Sequence, residues 1–403
     1  MTTNTNTGAK LPLGCTDFET IRKAGAPYVD KTALLYQLAN PSFKFFFARP
    51  RGFGKSLLVS TLASLFEHGL EYFKGLAIES LWTDKRTYRV IRLDFSELTN
   101  FRTREEFDEL FERHLVERFG HAGFRRDERG DNTSWLVLEL GSWLDTLPIA
   151  SCVLLIDDCD APLLAASHDP ELFEGIAGAI NSFYAMVKSK DAPWRLIFRT
   201  GTFKCFRGSL FASSCNNMLD VTLNTELAPL LGFTAEEIRQ TYPAELARAA
   251  ECTGLTMDGL LEALERHYGG YCFDGSASRE EAAPRLLRPD SVLRFLENPE
   301  KGFVNCELLQ ADGSPRSFSP CIAQLTPPEP EADGKLDIDS SEITALIGFD
   351  TMNAKARLLQ AGLLTIEAEW YNWLLVRCPN EDAKEALERL RAENSAASQA
   401  AKP

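Results

Sequence analysis

Between residues 42 and 66 the hydrophobic pattern of the chain changes period twice. Ser42-Phe43-Lys44-Phe45-Phe46-Phe47-Ala48 is a short apolar run with aromatic enrichment and reads as a buried strand. Arg49-Pro50-Arg51-Gly52-Phe53-Gly54 breaks that run with proline and glycine. From Lys55 onward, Leu58, Val59, Leu62, Ala63, Leu65 and Phe66 form an apolar stripe at helical spacing. Strand, glycine-bearing loop and helix in that order commit this part of the chain to a layered α/β arrangement.

A helix start leaves backbone N–H groups without intrahelical partners, and a loop feeding it from a strand can cradle phosphate oxygens with them. In that arrangement Gly54 lets the backbone approach closely, Lys55 reaches the β- and γ-phosphates, and Ser56 offers its hydroxyl to Mg2+. The candidate nucleotide contacts are Arg49, Arg51, Gly52, Phe53, Gly54, Lys55, Ser56 and Leu57. Arg49 occupies the first glycine position of the G-x-x-x-x-G-K-[ST] pattern. Arg49, Arg51, Lys44 and Lys204 are cations in a chain with 43 Lys and Arg against 58 Asp and Glu. The two arginines lie in the loop itself and suit a triphosphate.

A second apolar run, Ala150 to Ile156, ends in Asp157-Asp158-Cys159-Asp160. In an open parallel sheet, ligands lie at the carboxyl ends of strands, so Asp157 is placed to complete the metal site with Ser56. Asp158 is the candidate to orient or deprotonate an attacking water, and Asp160 is expected to cap the turn at Pro162. Tyr88 to Phe95 and Arg195 to Gly201 read as further strands. Asp94 would contact the site or support its loop. Thr200 is the candidate sensor of the terminal phosphate, with Thr202 next. The catalytic set is thus Lys55, Asp157, Asp158 and Thr200.

Helical patterns at 105–119 and 172–187 lie between the strands and give a three-layer α/β sandwich. The expected organisation is a disordered lead-in (1–10), a core (11–225), a helical lid (226–300), a small winged-helix-like α+β region (301–390) with an exposed loop at 326–340, and a disordered tail (391–403). Thr234 followed by Glu237 forms a capping-box pattern at the start of the lid.

The ten cysteines include no C-x-x-C pair, which fits a reducing compartment and a cytoplasmic protein. No apolar run approaches membrane-spanning length, so no membrane partner is expected. A net charge of -15 opposes a general nucleic-acid-binding surface.

Several motifs resemble a bacterial AAA-ATPase-like family whose members are often fused to a nuclease-like domain of the PD-(D/E)XK type. Leu11-Pro12-Leu13-Gly14, Asp17-Phe18 and Tyr28-Val29-Asp30-Lys31-Thr32 are similar to its opening signature. Arg49 to Ser56 resembles its phosphate loop, with Gly52 where members usually carry a second arginine. Leu155 to Leu163 resembles its acidic motif, with Asp158 and Cys159 where Glu and Tyr are common. Thr200 to Phe211, Asn216-Asn217 and Gly232-Phe233-Thr234 are also similar, whereas Arg288-Pro289 departs from the usual Asn-Pro.

The resemblance implies a P-loop NTPase fold, ATP and Mg2+ as cofactors, and ATP hydrolysis coupled to conformational change. Asp158 is one methylene shorter than glutamate, so slow turnover is expected. No nuclease core is expected, because only about 20 residues follow Asn380. The alternatives are a nucleotide-gated regulatory module with little turnover, or a DNA-associated factor of a mobile element or defence system. Partners other than nucleotide would be a second copy of the chain or another protein.

Overall fold

The apolar runs become a parallel sheet. A computed structural model of the chain describes residues 10–127, 132–204, 217–277, 284–310, 312–329, 334–344 and 352–400. Strands β1 (Lys44–Ala48), β2 (Arg89–Asp94), β3 (Cys152–Asp157), β4 (Trp194–Gly201) and β5 (Leu219–Asp220) form a five-stranded sheet in the order β2-β3-β4-β1-β5. Every pairing in it is parallel. β4 therefore separates the phosphate-loop strand β1 from the acidic strand β3.

Alternation along the strands feeds two cores. Leu154 and Ile156 of β3 join Phe107, Phe111, Ile180 and Phe183 on one face. Val153 and Leu155 join Leu58, Leu62 and Phe66 on the other. The first face is covered by α4 (Arg104–His121), α5 (Thr133–Leu144) and α7 (Pro170–Ser189). The second is covered by α1 (Phe18–Lys23), α2 (Thr32–Ala39) and α3 (Lys55–His68). Both faces of the sheet are buried, which is why its strands read as continuous apolar runs. The short helix α6 (Ala161–Ala165) follows the acidic motif. Helix α5, capped by Asn132 on the Trp135 N–H, was not anticipated from the sequence.

After β5, helices Ala235–Thr241, Pro243–Thr253, Met257–Tyr268 and Pro289–Glu297 gather around a core of their own that also takes Leu11 and Val29. The Thr234–Glu237 capping box forms as expected.

The C-terminal region holds an antiparallel sheet in the order β6-β8-β7, made of β6 (Lys335–Asp339), β7 (Thr365–Trp370) and β8 (Trp373–Arg377). β6 corrects the expectation of an exposed loop over 326–340. Its Leu336 and Ile338 point inward at 8% and 1% exposure, a half-buried alternation masked by the acidic residues between them. The final helix runs Glu381–Ala400, so the tail expected from residue 391 is helical through Ala400. Asn394 Nδ2 donates to Ala323 O at 3.1 Å and Leu325 O at 2.9 Å, tying that extension to the fold. Residues 1–9 of the lead-in and 401–403 of the tail lie outside the described residues.

This region packs directly on the core. Lys204 N donates to Gln360 Oε1 at 2.7 Å, and Cys272 N to Thr365 Oγ1 at 2.7 Å. At Gly270, with φ of +82°, an added Cβ would lie 2.2 Å from Pro379 O, so glycine alone allows the approach of the two segments.

Candidate functional site

The loop after β1 turns on two glycines in the left-handed region, Gly52 (φ +79°) and Gly54 (φ +96°). Gly54 is the N-cap of α3, so the unpaired N–H groups of the first helical turn open onto the loop. Phe53 anchors the loop from beneath, edge-on to Tyr271 at 4.9 Å and Phe273 at 5.1 Å. Its side chain is buried, so it packs under the loop.

Lys55 is only 7% exposed. Its Nζ donates to Arg49 O and to Thr202 Oγ1, both at 3.2 Å, and lies 3.8 Å from Asp158 Oδ1. The ammonium is thus held at the carboxyl edge of the sheet, between the loop after β1 and the segments after β3 and β4. Ser56 follows in the first turn of α3, near enough to the Asp157 carboxylate to favour its charged form.

The acidic motif divides its three carboxylates among three tasks. Burial, with Asp158 close by, pushes the Asp157 pKa up to about 6 against the pull of Ser56 and Lys55. Asp158 adopts φ of +43°, uncommon for a residue with a Cβ, and lines the open cleft. Asp160 makes no capping bond to its helix, contrary to expectation. Its carboxylate instead accepts from Thr202 N at 3.1 Å and Phe203 N at 2.8 Å, fixing the segment that follows β4. Burial and the charge of Asp158 raise its pKa to about 6 as well.

Several residues singled out from the sequence lie away from the cleft or serve the fold. Arg49 is 1% exposed and points away from the loop's open side. Its guanidinium donates to Ala48 O at 2.9 Å and Thr222 O at 2.6 Å, and stacks over Phe47 and Phe273. Thr200 is fully buried, with its hydroxyl donating to Phe47 O at 2.7 Å, so it faces the neighbouring strand and not the cleft. Thr202, the first residue beyond the strand end, holds the position facing Lys55. Lys204 is buried against Asp220 and donates to Ile343 O at 2.5 Å, and Lys44 pairs with Asp191. Neither is a phosphate ligand. Asp94 supports its own turn, accepting from Ser96 N at 2.9 Å and Ser96 Oγ at 2.6 Å. The matched motif residues within 205–216 lie outside the described residues.

Arg51, Gly52, Gly54, Lys55, Ser56, Leu57, Asp158 and Thr202 open onto a cleft of about 930 Å³ that runs along the carboxyl edge of the sheet. The volume falls in the range of small-molecule and cofactor sites. Arg51 is exposed and makes no side-chain hydrogen bond or ion pair among the described residues. One end of the cleft is apolar, walled by Pro12, Tyr28, Val29, Leu57, Phe233 and Tyr242. Sequence reasoning missed this wall, because it unites the opening segment, α3 and the helical segment after β5. Lys31 Nζ donates to Glu237 Oε1 at 2.6 Å and ties the opening segment to helix Ala235–Thr241.

A group of Glu19, Glu67 and His68 could offer three metal ligands. It lies at the far end of α3, about 18 Å from Ser56 at 1.5 Å per helical residue, and is unrelated to the cleft.

Residues 12–211, just under half of the chain, match the family model AAA-ATPase-like, described as a predicted AAA-ATPase. The chain carries an AAA-ATPase-type P-loop domain. A curated relative, an uncharacterized protein in the vnfD 5' region of Azotobacter chroococcum mcd 1, is 29% identical to it over 366 residues. The match covers 89% of this chain and 64% of the relative, so the chain spans less than two thirds of that protein's length.

Among solved structures, the Walker-type ATPase PABY2304 of Pyrococcus abyssi is 11% identical, with a TM-score of 0.40, covering 89% of this chain and 94% of that one. Cdc6p from Pyrobaculum aerophilum is 11% identical, with a TM-score of 0.33, covering 91% and 93%. Overlays at that level carry no argument about the site of the AAA-ATPase-type domain, which rests on its own geometry. Among the described residues no helix is long and apolar enough to cross a membrane.

Proposed function

We propose that the cleft binds ATP with Mg2+ and hydrolyses it slowly, and that hydrolysis is coupled to movement of the helical lid and the C-terminal region. The observation that carries this reading is the buried lysine at a helix start, bonded to the loop and to Thr202 and set beside the acidic motif. The loop N–H groups and Lys55 would take the β- and γ-phosphates, and the apolar end of the cleft would take the base.

The donor set fits Mg2+, since the Ser56 hydroxyl and the buried Asp157 carboxylate are hard oxygen ligands. The metal would neutralise charge developing on the phosphates. Asp158 would hold and deprotonate the attacking water, with Thr202 reading the terminal phosphate beside Lys55.

Coupling has a physical route. Asp290 N donates to Gly52 O at 3.2 Å, so the phosphate loop is hydrogen-bonded to the lid. A Cβ on Gly362 would lie 2.8 Å from Pro50, so the C-terminal region abuts the same loop. The helix Ala354–Ala361 between β6 and β7, with the β7–β8 hairpin, supports a winged-helix-like module over 301–390, beside a core over 11–225 and a lid over 226–300.

In that module Gln360 and Arg357 bond to Lys204 N and Met352 O. The helix that would enter a DNA groove is therefore turned toward the core. We accordingly favour a nucleotide-driven protein switch, cytoplasmic and acting on a protein partner or a second copy, over a DNA reader.

Two experiments test this reading. Mg2+-dependent phosphate release from ATP should be measurable for the full chain. Asp158→Glu should raise its rate several-fold by extending the carboxylate, while Asp158→Asn should lower it about 100-fold, the usual scale for loss of a general base. An Asp158→Asn rate equal to wild type would remove Asp158 from the reaction.

The second experiment uses pH. The proton that Asp157 retains below about 6 must leave before the carboxylate can hold a metal. Mg2+ affinity at saturating nucleotide should therefore rise about tenfold per pH unit below that value and level off above pH ~7. Affinity that does not change between pH 5 and 7.5 would contradict it.

A further inference from the structure

The cleft does not end at the phosphate loop. On the β2 and β3 side it continues past Asp158 and is lined there by Ser96, Thr99, Leu164, Gln310 and Arg316. Gln310 and Arg316 come from the C-terminal region, far along the chain from β5, the last strand of the main sheet.

The backbone that carries them is a tight hairpin. Arg316 N donates to Leu308 O at 2.7 Å, Gln310 N to Ser314 O at 2.8 Å, and Leu309 bridges to Pro315. Its base is fixed by Asn305 Nδ2, which donates to Asp382 O at 3.0 Å and Glu385 Oε2 at 2.9 Å. The Glu307–Arg288 ion pair fixes it again, and an added Cβ on Gly52 of the phosphate loop would lie 3.1 Å from Arg288 Cδ. Just after the hairpin, the turn of helix Pro320–Ala323 packs on α6, the helix that follows the acidic motif. Arg316 is thereby delivered to the carboxylate side of the cleft.

Arg316 is half-buried, yet it makes no side-chain hydrogen bond or ion pair among the described residues. Arg51 is also unpaired but is exposed on the loop, and the buried arginines near the loop are occupied. Arg49 is bonded to main-chain carbonyls, Arg288 to Glu307, and Arg294 to Asp290. A guanidinium held in a cleft without a partner has lost some hydration and gained no ion pair, and an arriving anion would supply one.

We propose that Arg316 is a catalytic residue acting in cis, contacting the terminal phosphate of the nucleotide, so that the C-terminal region completes the hydrolytic site. This deepens the ATPase reading and rests on it. In the step, water oxygen bonds to the γ-phosphorus while the bond from that phosphorus to the β–γ bridging oxygen breaks. The water proton goes to Asp158, and ADP and inorganic phosphate leave. Arg316 offsets the negative charge on the γ-oxygens as the metaphosphate-like group passes from one oxygen to the other.

The test uses the full chain as wild type, Arg316→Ala and Arg316→Lys, with ATP and ADP binding and phosphate release measured at saturating Mg2+. Arg316→Ala should leave the ADP Kd unchanged, cut the preference for ATP over ADP about tenfold, and lower kcat about 100-fold or more, as loss of a phosphate-clamping arginine does. Guanidinium ion should restore part of the Arg316→Ala rate, and lysine should restore little because it lacks the planar fork.

Mixing Arg316→Ala with Lys55→Ala chains should restore nothing, since each chain lacks part of its own site. Recovery on mixing would place the arginine in a neighbouring copy and overturn action in cis. An unchanged ATP-over-ADP preference in Arg316→Ala overturns the proposal outright, because the fold can be checked by the ADP affinity. A wild type that binds ATP without turnover defeats the hydrolysis reading alone, and the preference ratio then decides Arg316. A wild type that binds no nucleotide defeats both.

Discussion

Lys55→Ala should lower Mg2+-dependent phosphate release about a thousandfold or more, the scale on which preorganised charge at a transferring phosphoryl group acts. The ammonium sits where the loop carbonyl of Arg49, the hydroxyl of Thr202 and the carboxylate of Asp158 converge. That geometry sets the ammonium against the acidic motif at the helix start, a position that neither loop arginine holds. Arg51 lies on the exposed side of the loop, and Arg49 is turned beneath it.

The fold should tolerate the change, because the site opens onto a cleft from which water can reach the two freed acceptors. Lys55→Arg should not rescue, since a guanidinium is too large for a position with two acceptors at 3.2 Å. Steady-state phosphate release and a denaturation midpoint on the same samples separate the two effects. A Lys55→Ala rate within a few-fold of wild type would show that the turnover arises elsewhere.

Arg49→Ala should behave in the opposite way. The guanidinium lies between the rings of Phe47 and Phe273, 4.2 and 4.4 Å from their centroids, and binds carbonyls from β1 and from the segment after β5. Burial pulls its pKa down to about 9, still above neutrality, so a charged group is being held in the core. Truncation would leave a cavity between two aromatic rings and at least one buried carbonyl without its donor. Such losses cost about 3–5 kcal/mol, a large fraction of the stability of an ordinary domain.

The expected result is a large drop in the denaturation midpoint with nucleotide affinity of the remaining folded protein changed less than about threefold, since a packing residue makes no differential contact with ligand. Weakened nucleotide binding at unchanged stability would return Arg49 to the phosphate site.

The contrast between these two residues shows what the sequence could and could not reveal. Lys55 was legible because an apolar run, a glycine break and a helical stripe leave a single geometry for the residue at the helix start. Arg49 reads as a loop cation next to them, yet strand alternation carries further than the loop suggests. Phe45, Phe47 and Arg49 lie on one side at intervals of two, so the arginine follows Phe47 into the core. That signal was present and was outweighed by the motif.

Thr200 failed for a related reason. The carboxyl end of β4 fixes which threonine clears the sheet, and a sequence does not mark strand ends to within two residues. β6 escaped notice because three charged residues surround its two inward-facing aliphatics. The apolar wall of the cleft and the Arg316 hairpin depend on contacts between segments far apart in the chain, which local patterns do not encode.

The central claim is that Ser56 and Asp157 hold a metal together, and magnesium-dependent nucleotide binding tests it most directly. The full chain, Ser56→Ala, Asp157→Asn and the double variant would be titrated with ATP at pH ~7.5, with and without Mg2+. Wild type should bind ATP at least about tenfold more tightly with the metal. Each single change should remove most of that gain, and the double variant should lose no more than the worse of the two, because residues serving one ion are not independent. A double variant that keeps the full magnesium-dependent gain would contradict the account.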